Sequence, residues 1–405
     1  MPKLLQINST ANITSTGRIA EQIGVLAIKD GWDSYLAYGR TSNQSASQLL
    51  KIGGRGNIYI HGISSLLFDN HGLSSKVATK KLVEQIKTIK PDIIHLHNLH
   101  GYYISYKVLF DFLAEKGIPI VWTLHDCWAF TGHCSHYSDI NCQKWQTHCE
   151  NCPKTHNYPK SLFLDRSSRN YQTKKSCFNS LKNLTLVPVS HWLEEEIKKS
   201  FLKGNNIRCV LNGVDIEKFR PSGRNQATKE EYGLVGKKVL LGVATAWGPR
   251  KGWTDYIRLS QMLPEEYKIV MVGVTEKQAK ELPSNILAIQ RTENIEQLAE
   301  WYSLADIVLN LSDEESFGLT TAEGFACGTP SIVYNCTASP ELITAETGLV
   351  LEKGDMDGLV KAIQDITTGG KPRYSEACRL RATKLYDKNK NFNEYVQLYN
   401  QLISK

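Results

Sequence analysis

The chain of 405 residues lacks any long apolar segment. Residues 1–10 contain no apolar signal core, and no apolar run approaches the roughly 18 residues that a spanning helix needs. There is also no internal repeat at a fixed period and no low-complexity segment. We therefore expect a globular cytoplasmic protein rather than a membrane-spanning or repeat protein.

Glycine is scarce where a dinucleotide-binding protein would need it. A first strand is predicted at residues 3–7, a polar loop at 8–17 and a helix at about 18–30. The loop holds one glycine, Gly17, so the G-x-G-x-x-G fingerprint of NAD-type binding is absent.

Histidine is absent after His191, and basic residues are concentrated in the first half. Residues 1–200 carry 23 Lys and Arg against 15 Asp and Glu, a net charge of +8, whereas residues 201–405 carry 25 against 26, a net charge of −1. A basic half suits nucleic acid, an anionic lipid surface or a phosphorylated acceptor. Ordinary solubilising lysines explain most of the individual positions.

The length and the alternation of predicted strands and helices indicate two doubly wound α/β domains. Strands are predicted at residues 3–7, 32–38, 91–97, 118–124, 184–190 and 207–215, and then at 237–245, 267–274, 285–290, 305–312, 331–335 and 348–352. Helices are predicted at 76–90, 192–200, 319–327 and 374–404, among others. The predicted domains are 1–200, with an irregular cysteine-rich insert at 127–165, and 201–385. A C-terminal helix at 386–405 is expected to pack back across both, and ligands are expected in a cleft between the domains.

Two glutamates flank a predicted strand-to-helix turn. Glu315 follows the strand at 305–312, and Glu323 lies on the helix that begins after Gly318. In a parallel sheet such a turn lies at the carboxyl end of a strand, where ligands bind, and the amides of a helix N-terminus favour an anion. Sugar hydroxyls beside a phosphate fit this combination. The alternative is a pair of ordinary helix glutamates.

Two further loops carry groups that suit the same ligand. Arg250 and Lys251 follow the strand at 237–245 and could neutralise a diphosphate, although they could also be two surface cations. His125 follows the strand at 118–124, where it could contact a substrate hydroxyl or phosphate.

Four cysteines in the insert have a spacing that suggests a metal site, and they are Cys134, Cys142, Cys149 and Cys152. In a reducing compartment a set ending in C-x-x-C suggests structural zinc rather than disulfides. His133, His136 and His148 are alternative ligands, and unbound thiols are nearly as good an interpretation as zinc.

The sequence resembles the retaining glycosyltransferases of family 4, which have the GT-B architecture of two facing Rossmann-like domains. The resemblance covers essentially the whole chain. Its most specific segments are Val189-Ser190-x-Trp192, Asn212-Gly-Val-Asp215, Arg250-Lys251-Gly252 and Glu315-Ser-Phe-Gly-Leu-x-x-x-Glu323. Residues 123–132, with the insert after them, are similar to a bacterial subgroup associated with capsule, exopolysaccharide or colanic-acid-type assembly.

The resemblance implies a role for each matched residue. Glu315 and His125 would contact the donor sugar, Glu323 would contact the ribose, and Lys251 would bind the leaving diphosphate. The backbone at Phe317, Gly318 and Leu319 would lie against the sugar and the diphosphate. Gly17 would let its loop approach the donor. The family often has an arginine five residues before the lysine. That position is Ala246 here, and Arg250 is expected to take over the role.

The function implied is that of a hexosyltransferase in surface polysaccharide biosynthesis. It would move a sugar from a nucleoside-diphosphate sugar to a glycan or lipid-linked acceptor with retained configuration. No cofactor is required for catalysis and no nucleic acid is involved, and contact with the membrane would be peripheral, at its inner face. Two alternatives remain, a sugar-nucleotide epimerase of the same fold and a basic zinc-containing nucleic-acid-binding protein.

Overall fold

The computed structural model describes residues 1–404, which divide into two compact units. The first unit comprises residues 1–210 together with the C-terminal segment from Phe392, and the second comprises residues 211–391. Each unit is built on a sheet whose strand pairs are all parallel, with helices connecting the strands. The prediction of two α/β domains is therefore confirmed.

The first unit has a seven-stranded sheet in the order β3-β2-β1-β4-β5-β6-β7. Its strands are β1 (Lys3–Asn8), β2 (Asp33–Tyr38), β3 (Gln48–Lys51), β4 (Ile93–Leu96), β5 (Ile120–Leu124), β6 (Leu184–Pro188) and β7 (Asn206–Ile207). Its helices are α1 (Thr14–Lys29), α2 (Arg55–Phe68), α3 (Lys76–Ile89), α4 (Tyr106–Lys116), α5 (Ser167–Phe178) and α6 (His191–Lys199). The central strands β4, β5 and β6 are buried along their whole length, as expected for strands covered on both faces.

The second unit has a six-stranded sheet in the order β10-β9-β8-β11-β12-β13. Its strands are β8 (Lys238–Val243), β9 (Tyr267–Val272), β10 (Ile286–Ile289), β11 (Ile307–Asn310), β12 (Ser331–Tyr334) and β13 (Gly348–Leu351). Its helices are α7 (Asn225–Glu231), α8 (Trp253–Met262), α9 (Glu276–Glu281), α10 (Ile295–Leu304), α11 (Leu319–Ala326), α12 (Met356–Gly369) and α13 (Pro372–Leu385). Apolar residues of β8, β9, β11, α8 and α12 form one continuous core.

The strand orders locate a topological switch point in each unit. In the second unit the chain builds outward from β8 to β10 and then returns to place β11 on the other side of β8. The first unit does the same with β1 and β4. The crevice at the carboxyl ends of the neighbouring strands at such a point is where doubly wound sheets bind ligands.

The last helix, α14 (Lys388–Ile403), contributes to the core of the first unit. Phe392, Tyr395 and Tyr399 pack there with residues of β1, β4 and β5. The hydroxyl of Tyr399 lies 2.6 Å from Nδ1 of His95 on β4, so the end of the chain is tied to the centre of that sheet.

Several predicted boundaries were wrong. The first unit extends to Val210 rather than to residue 200, because β7 pairs with β6 and completes its sheet. The predicted strand at 207–215 shrinks to the two residues of β7. Helix α1 begins at Thr14, so Gly17 lies in its first turn rather than in the loop. Strand β3 and helix α2 were not predicted.

The insert at 127–165 is irregular, as predicted, and contains three short 3-10 turns at Trp128–Phe130, Ser138–Ile140 and Lys144–Gln146. Within residues 1–404, no helix combines the length and the apolar character needed to cross a bilayer.

Candidate functional site

The loops that leave β8 and β11 meet at the switch point of the second unit. Lys251, in the loop after β8, donates from Nζ to Oε1 of Glu315, in the loop after β11. Both side chains are largely buried. The backbone supports the same contact, since the amide of Asp313 donates to the carbonyl of Arg250 over 3.0 Å.

The glutamate of this pair is held as a carboxylate. Burial by itself raises the pKa of Glu315, but the Lys251 ammonium, a hydrogen bond from Ser312 and the charge of Arg250 together bring that pKa below its ordinary value. The amide of Glu315 donates to Oγ1 of Thr337 over 2.7 Å, and that hydroxyl donates to the Glu315 carbonyl over 2.8 Å. The residue is therefore fixed at both its side chain and its backbone.

Gly252 allows the two loops to approach closely. Its φ of +73° lies in the left-handed region, and a Cβ at this position would be 2.5 Å from the carbonyl oxygen of Leu311. Only glycine fits both conditions. The Arg250-Lys251-Gly252 sequence thus places a cation directly against the end of β11.

Helix α11 begins beside the Lys251–Glu315 pair. Its N-cap is Gly318, with φ of +101°, and this residue offers no side chain to the first amides of the helix. Uncapped amides at a helix N-terminus suit an anion. Phe317, just before the cap, is buried against Tyr386 with ring centroids 5.5 Å apart, which anchors the turn.

Glu323 lies on α11 and is positioned by a tyrosine on the preceding helix, α10. The hydroxyl of Tyr302 donates to Oε2 of Glu323 over 2.7 Å. Burial, followed by the charge of Glu323, raises the pKa of Tyr302 well above its usual value, so the phenol stays a donor. Glu315, just before the uncapped helix start, and Glu323, on the helix itself, therefore offer two fixed carboxylates.

In the first unit, two histidines lie at the carboxyl ends of adjacent strands, and a third, His95, lies within β4. His97 follows β4 and His125 follows β5, and Nδ1 of His97 lies 3.2 Å from Nε2 of His125. Burial lowers the pKa of His125 to about 4, with the charge of Asp126 opposing that shift. Burial also lowers the pKa values of His95 and His97 well below the ordinary range. All three imidazoles are therefore neutral at pH 7.

The neutral state fixes which nitrogen of His125 accepts hydrogen bonds. The side-chain nitrogen of Gln6 donates to the carbonyl of Ala20. The side-chain oxygen of Gln6 therefore faces Nε2 of His97, 3.1 Å away, and accepts a hydrogen bond from it. Nδ1 of His97 is then an acceptor and takes the N–H from Nε2 of His125. Nδ1 of His125 is left as an acceptor, which suits a hydroxyl donor such as a sugar.

A second polar pair lies at the same edge of the first unit. Nε2 of His100 contacts Oδ2 of Asp126 at 2.7 Å, and Nδ1 of His100 contacts the hydroxyl of Tyr158 at 3.0 Å. The amide of Trp128 donates to Oδ1 of Asp126 over 2.9 Å. Burial raises the pKa of Asp126, but His100 and the other donors lower it well below its ordinary value, so this carboxylate is ionised.

Two family models match consecutive parts of the chain. The model described as Glycosyltransferase Family 4 matches residues 27–218, and the model described as Glycosyl transferases group 1 matches residues 237–368. The chain belongs to glycosyltransferase family 4. It is therefore a glycosyltransferase, as predicted, and the comparisons give no support to the epimerase or nucleic-acid-binding alternatives.

Of two named relatives of this glycosyltransferase, one is similar over nearly its whole length and the other over part of it. It is 22% identical to the putative colanic acid biosynthesis glycosyl transferase WcaC of Escherichia coli (strain K12), over 98% of this chain and 100% of that protein. It is 30% identical to the lipopolysaccharide core biosynthesis mannosyltransferase LpsB of Rhizobium meliloti (strain 1021), over 38% of this chain and 48% of that protein.

Solved structures confirm the fold of the glycosyltransferase. Sucrose-phosphate synthase from Thermosynechococcus elongatus superimposes with a TM-score of 0.73 at 16% identity, covering 100% of both chains. Anabaena HepE, solved in complex with UDP and glucose, superimposes with a TM-score of 0.68 at 13% identity, covering 99% of this chain and 100% of that one.

The predicted site residues fall into two groups. In the second unit Lys251 and Glu315 are in contact, with Arg250 close enough to act on the charge of Glu315. Around the same switch point lie Phe317, Gly318, Leu319 and Glu323. His125 and Gly17 belong to the first unit. Ala246 is exposed in the loop after β8. The individual roles remain predictions.

Gly17 has a structural reason to be glycine. A Cβ at this position would be 2.6 Å from Oγ1 of Thr10 and 3.2 Å from its carbonyl oxygen. The loop after β1 is folded tightly onto the first turn of α1, so any larger residue would push Thr10 away. Close packing explains why this residue is glycine. That Gly17 also lets its loop approach the donor stays a prediction.

The predicted zinc ligands Cys134, Cys142, Cys149 and Cys152 lie in one neighbourhood and are free thiols. Within residues 1–404, no three of these sulfur atoms lie within 4.8 Å of one another, whereas ligand atoms of His191, Glu194 and Cys209 do so. A bound ion would have to draw the four thiols closer together. The zinc assignment stays a prediction.

Sequence reasoning missed the residues that hold the predicted ones in place. They are Gln6, His97, Tyr302, Ser312 and Thr337. Tyr302 is 21 residues from Glu323 and Thr337 is 22 residues from Glu315, so no local pattern links them. Only the position of Ser312 and His97 at predicted strand ends offered a signal.

Proposed function

We propose that the protein transfers a sugar, with retention of anomeric configuration, from a nucleoside-diphosphate sugar to a glycan or lipid-linked glycan. The observation that carries the proposal is the contact between Lys251 and Glu315 at the switch point of the second unit, beside the uncapped start of α11. A cation and helix amides suit a diphosphate, and two fixed carboxylates suit hydroxyl groups. A nucleoside-diphosphate sugar carries these groups in one molecule.

In the proposed reaction the bond between the anomeric carbon and the diphosphate oxygen breaks, and a bond forms from the acceptor hydroxyl oxygen on the same face of the sugar. The hydroxyl proton passes to the departing diphosphate. Positive charge develops on the sugar ring while negative charge grows on the leaving group. Stabilising the leaving group is therefore the main task of the protein, and no protein nucleophile is needed.

Lys251 and Arg250 would stabilise the diphosphate in this reaction. Lys251 is already positioned by Glu315, so its charge needs little reorganisation when the donor binds. Glu315 would then accept hydrogen bonds from hydroxyls of the transferred sugar. Glu323, fixed by Tyr302, would accept them from the ribose.

His125 would accept a hydrogen bond from the transferred sugar. Its pKa of about 4 keeps the ring neutral across physiological pH, and its Nδ1 is the free acceptor in the tautomer chain from Gln6. A neutral acceptor orients a hydroxyl without placing a second positive charge near the developing charge of the ring.

The biological setting proposed is the assembly of a surface polysaccharide. Full-length similarity to the putative colanic acid biosynthesis enzyme supports it, as does partial similarity to a lipopolysaccharide core mannosyltransferase. Such acceptors are often held at a membrane, and exposed side chains on two helices of the first unit support peripheral contact there.

Helices α2 and α3 of the first unit expose apolar and basic side chains. On α2, Tyr59 and Ile60 are 71% and 70% exposed and Ile63 is 55% exposed, and on α3 Val77 is 70% exposed. The exposed lysines of α3 are Lys76, Lys80, Lys81 and Lys87. Asn57 of α2 donates to Ser75 at the start of α3, so the two helices are joined there. Apolar groups with neighbouring lysines suit an anionic bilayer surface.

The test is a panel of nucleotide sugars, each incubated with purified protein alone and with a lipid-extracted glycan acceptor. We expect one donor to release its nucleoside diphosphate in step with acceptor glycosylation. Consumption of a donor to an isomeric nucleotide sugar without any acceptor would instead support an epimerase and contradict the proposal.

A further inference from the structure

The insert at 127–165 lacks extended regular secondary structure. Within the described residues it contains three 3-10 turns and neither a strand nor an α-helix. Short segments without regular structure usually need a cross-link or a metal ion to hold one conformation. The segment begins at Cys127 and contains four further cysteines out of the ten in the chain, all of them free thiols.

Three of these thiols have the surroundings of metal ligands. Cys134 and Cys149 are buried, and the thiols of Cys134 and Cys152 are hydrogen-bonded to each other. The amide of Gly132 donates to Sγ of Cys149 over 3.2 Å, and the amide of Lys154 donates to the sulfur of Cys152. A backbone N–H makes a strong, charge-assisted hydrogen bond to a metal-bound thiolate, so these two amides suit cysteine ligands.

A histidine beside them has an unused nitrogen. Nδ1 of His133 contacts Oδ1 of Asp69 at 2.8 Å, and both side chains are 0% exposed. Nε2 of His133 is buried without a hydrogen-bond partner among the described residues. Leaving a buried polar atom without a partner destabilises the folded state. A carboxylate that accepts from Nδ1–H is also the usual arrangement behind a histidine whose Nε2 binds a metal.

We propose that the insert holds one structural Zn²⁺, bound by Nε2 of His133 and by the sulfur atoms of Cys134, Cys149 and Cys152. Four protein ligands leave no open position, so the ion is structural. On binding, the three thiols release their protons to solvent and move together around the ion. Imidazole and thiolate ligands select zinc over magnesium or calcium.

Cys142 is left out of this ligand set. Cys134, Cys149 and Cys152 all interact with one another, whereas Cys142 interacts with Cys149. The carbonyl of Cys142 accepts from Nε1 of Trp145 over 3.0 Å, and its amide donates to Tyr137, which fixes its backbone within the aromatic part of the insert. Replacing it therefore provides a matched control for the three proposed cysteine ligands.

The test is the metal content of protein purified without chelators, measured by inductively coupled plasma mass spectrometry. We expect about one zinc per chain in the wild type and in Cys142→Ser, and a loss of zinc in Cys152→Ser and His133→Gln. Wild-type protein without zinc would overturn the site. Zinc kept in His133→Gln and lost in Cys142→Ser would overturn the ligand set.

A second variant tests the proposal where a ligand variant fails to fold. Asp69→Asn keeps the shape of the residue that positions His133, and loss of such a partner typically weakens metal affinity about 10–100-fold. Competition with a chromophoric chelator measures that affinity on folded protein. Unchanged zinc affinity in Asp69→Asn would overturn the role of His133, and a weakening within that range supports it.

Discussion

Lys251 and Glu315 are 64 residues apart in the sequence and form an ion pair at the point where the sheet of the second unit changes direction. The pair is supported by Gly252, which lets one loop reach the other, and by Thr337, which fixes the glutamate backbone. In the proposed reaction the lysine acts on the leaving diphosphate and the glutamate on the transferred sugar. Each of these roles can be tested by substitution.

Replacing either member of the pair should slow transfer strongly. We expect Lys251→Ala and Glu315→Gln each to lower kcat/KM by about 10²–10³-fold, because each removes a group that stabilises developing charge or fixes the sugar. The measurement is steady-state kinetics with the donor found in the panel. Lys280→Ala is the control, since Lys280 forms an exposed pair with Glu276 on α9. Wild-type turnover in Lys251→Ala would remove its assignment.

Tyr302→Phe should weaken donor binding without unfolding the protein. The substitution removes the hydroxyl that donates to Glu323 and leaves the buried ring in place. A hydrogen bond to a charged group contributes about 1.5–3 kcal/mol, so we expect the donor KM to rise about 10-fold or more.

The control for this variant is Tyr267→Phe. The hydroxyl of Tyr267 contacts Thr367 at 3.1 Å, away from α11. Equal donor KM values in Tyr302→Phe and the wild type would show that the position of Glu323 does not matter for binding.

The neutral state of His125 predicts a pH effect on stability. Its pKa of about 4 in the folded protein is below the value of about 6.5 expected on unfolding, so the unfolded chain binds more protons between these values. The contribution of His125 to the free energy of unfolding is therefore fully present above about pH 6.5 and is lost as the pH falls towards 4.

Denaturant unfolding at pH 7 and pH 5 measures this effect. We expect the loss of stability between the two pH values to be smaller in His125→Gln than in the wild type by about 1–2 kcal/mol. The buried His95 and His97 contribute to the loss in both proteins. An identical loss in the two proteins would mean that His125 is not held neutral by burial.

Membrane contact through α2 and α3 should depend on both apolar and basic side chains. We expect the wild type to float with vesicles containing anionic phospholipid, and less with purely zwitterionic ones. Lys80→Gln combined with Lys81→Gln should weaken binding about 10-fold or more, at about 1 kcal/mol for each lysine near the surface. Ile60→Ser with Ile63→Ser should weaken it independently. Vesicle binding that is unaffected by all four changes would exclude membrane contact through α2 and α3.

Much of the architecture follows from local patterns in the sequence. The buried runs at 93–96, 120–124 and 307–310 are short and rich in β-branched residues, and each became a strand of the predicted sheet. Strand β3 was missed because it lies at the edge of its sheet and is mostly exposed. Helix α2 was missed because its exposed apolar face hides the usual amphipathic period.

The site was predictable only where its groups follow strand ends. Glu315, Lys251 and His125 do so, and a polar group soon after a short apolar run is visible in the sequence alone. Tyr302 and Thr337 do not, because they reach the site from distant elements through tertiary packing. The contact between Lys251 and Glu315 depends in turn on the strand order β8-β11, which no local pattern encodes.

The most direct test of the account is the affinity of a nucleoside diphosphate for the wild type and for Lys251→Ala, measured by thermal unfolding over a titration. A ligand that binds only the folded state at 100 times its Kd adds about 2.7 kcal/mol of stability. We predict clear stabilisation of the wild type and of Lys280→Ala, with at least a tenfold higher concentration needed for Lys251→Ala. Equal stabilisation of all three proteins, or of none, would contradict a diphosphate site at the Lys251–Glu315 pair.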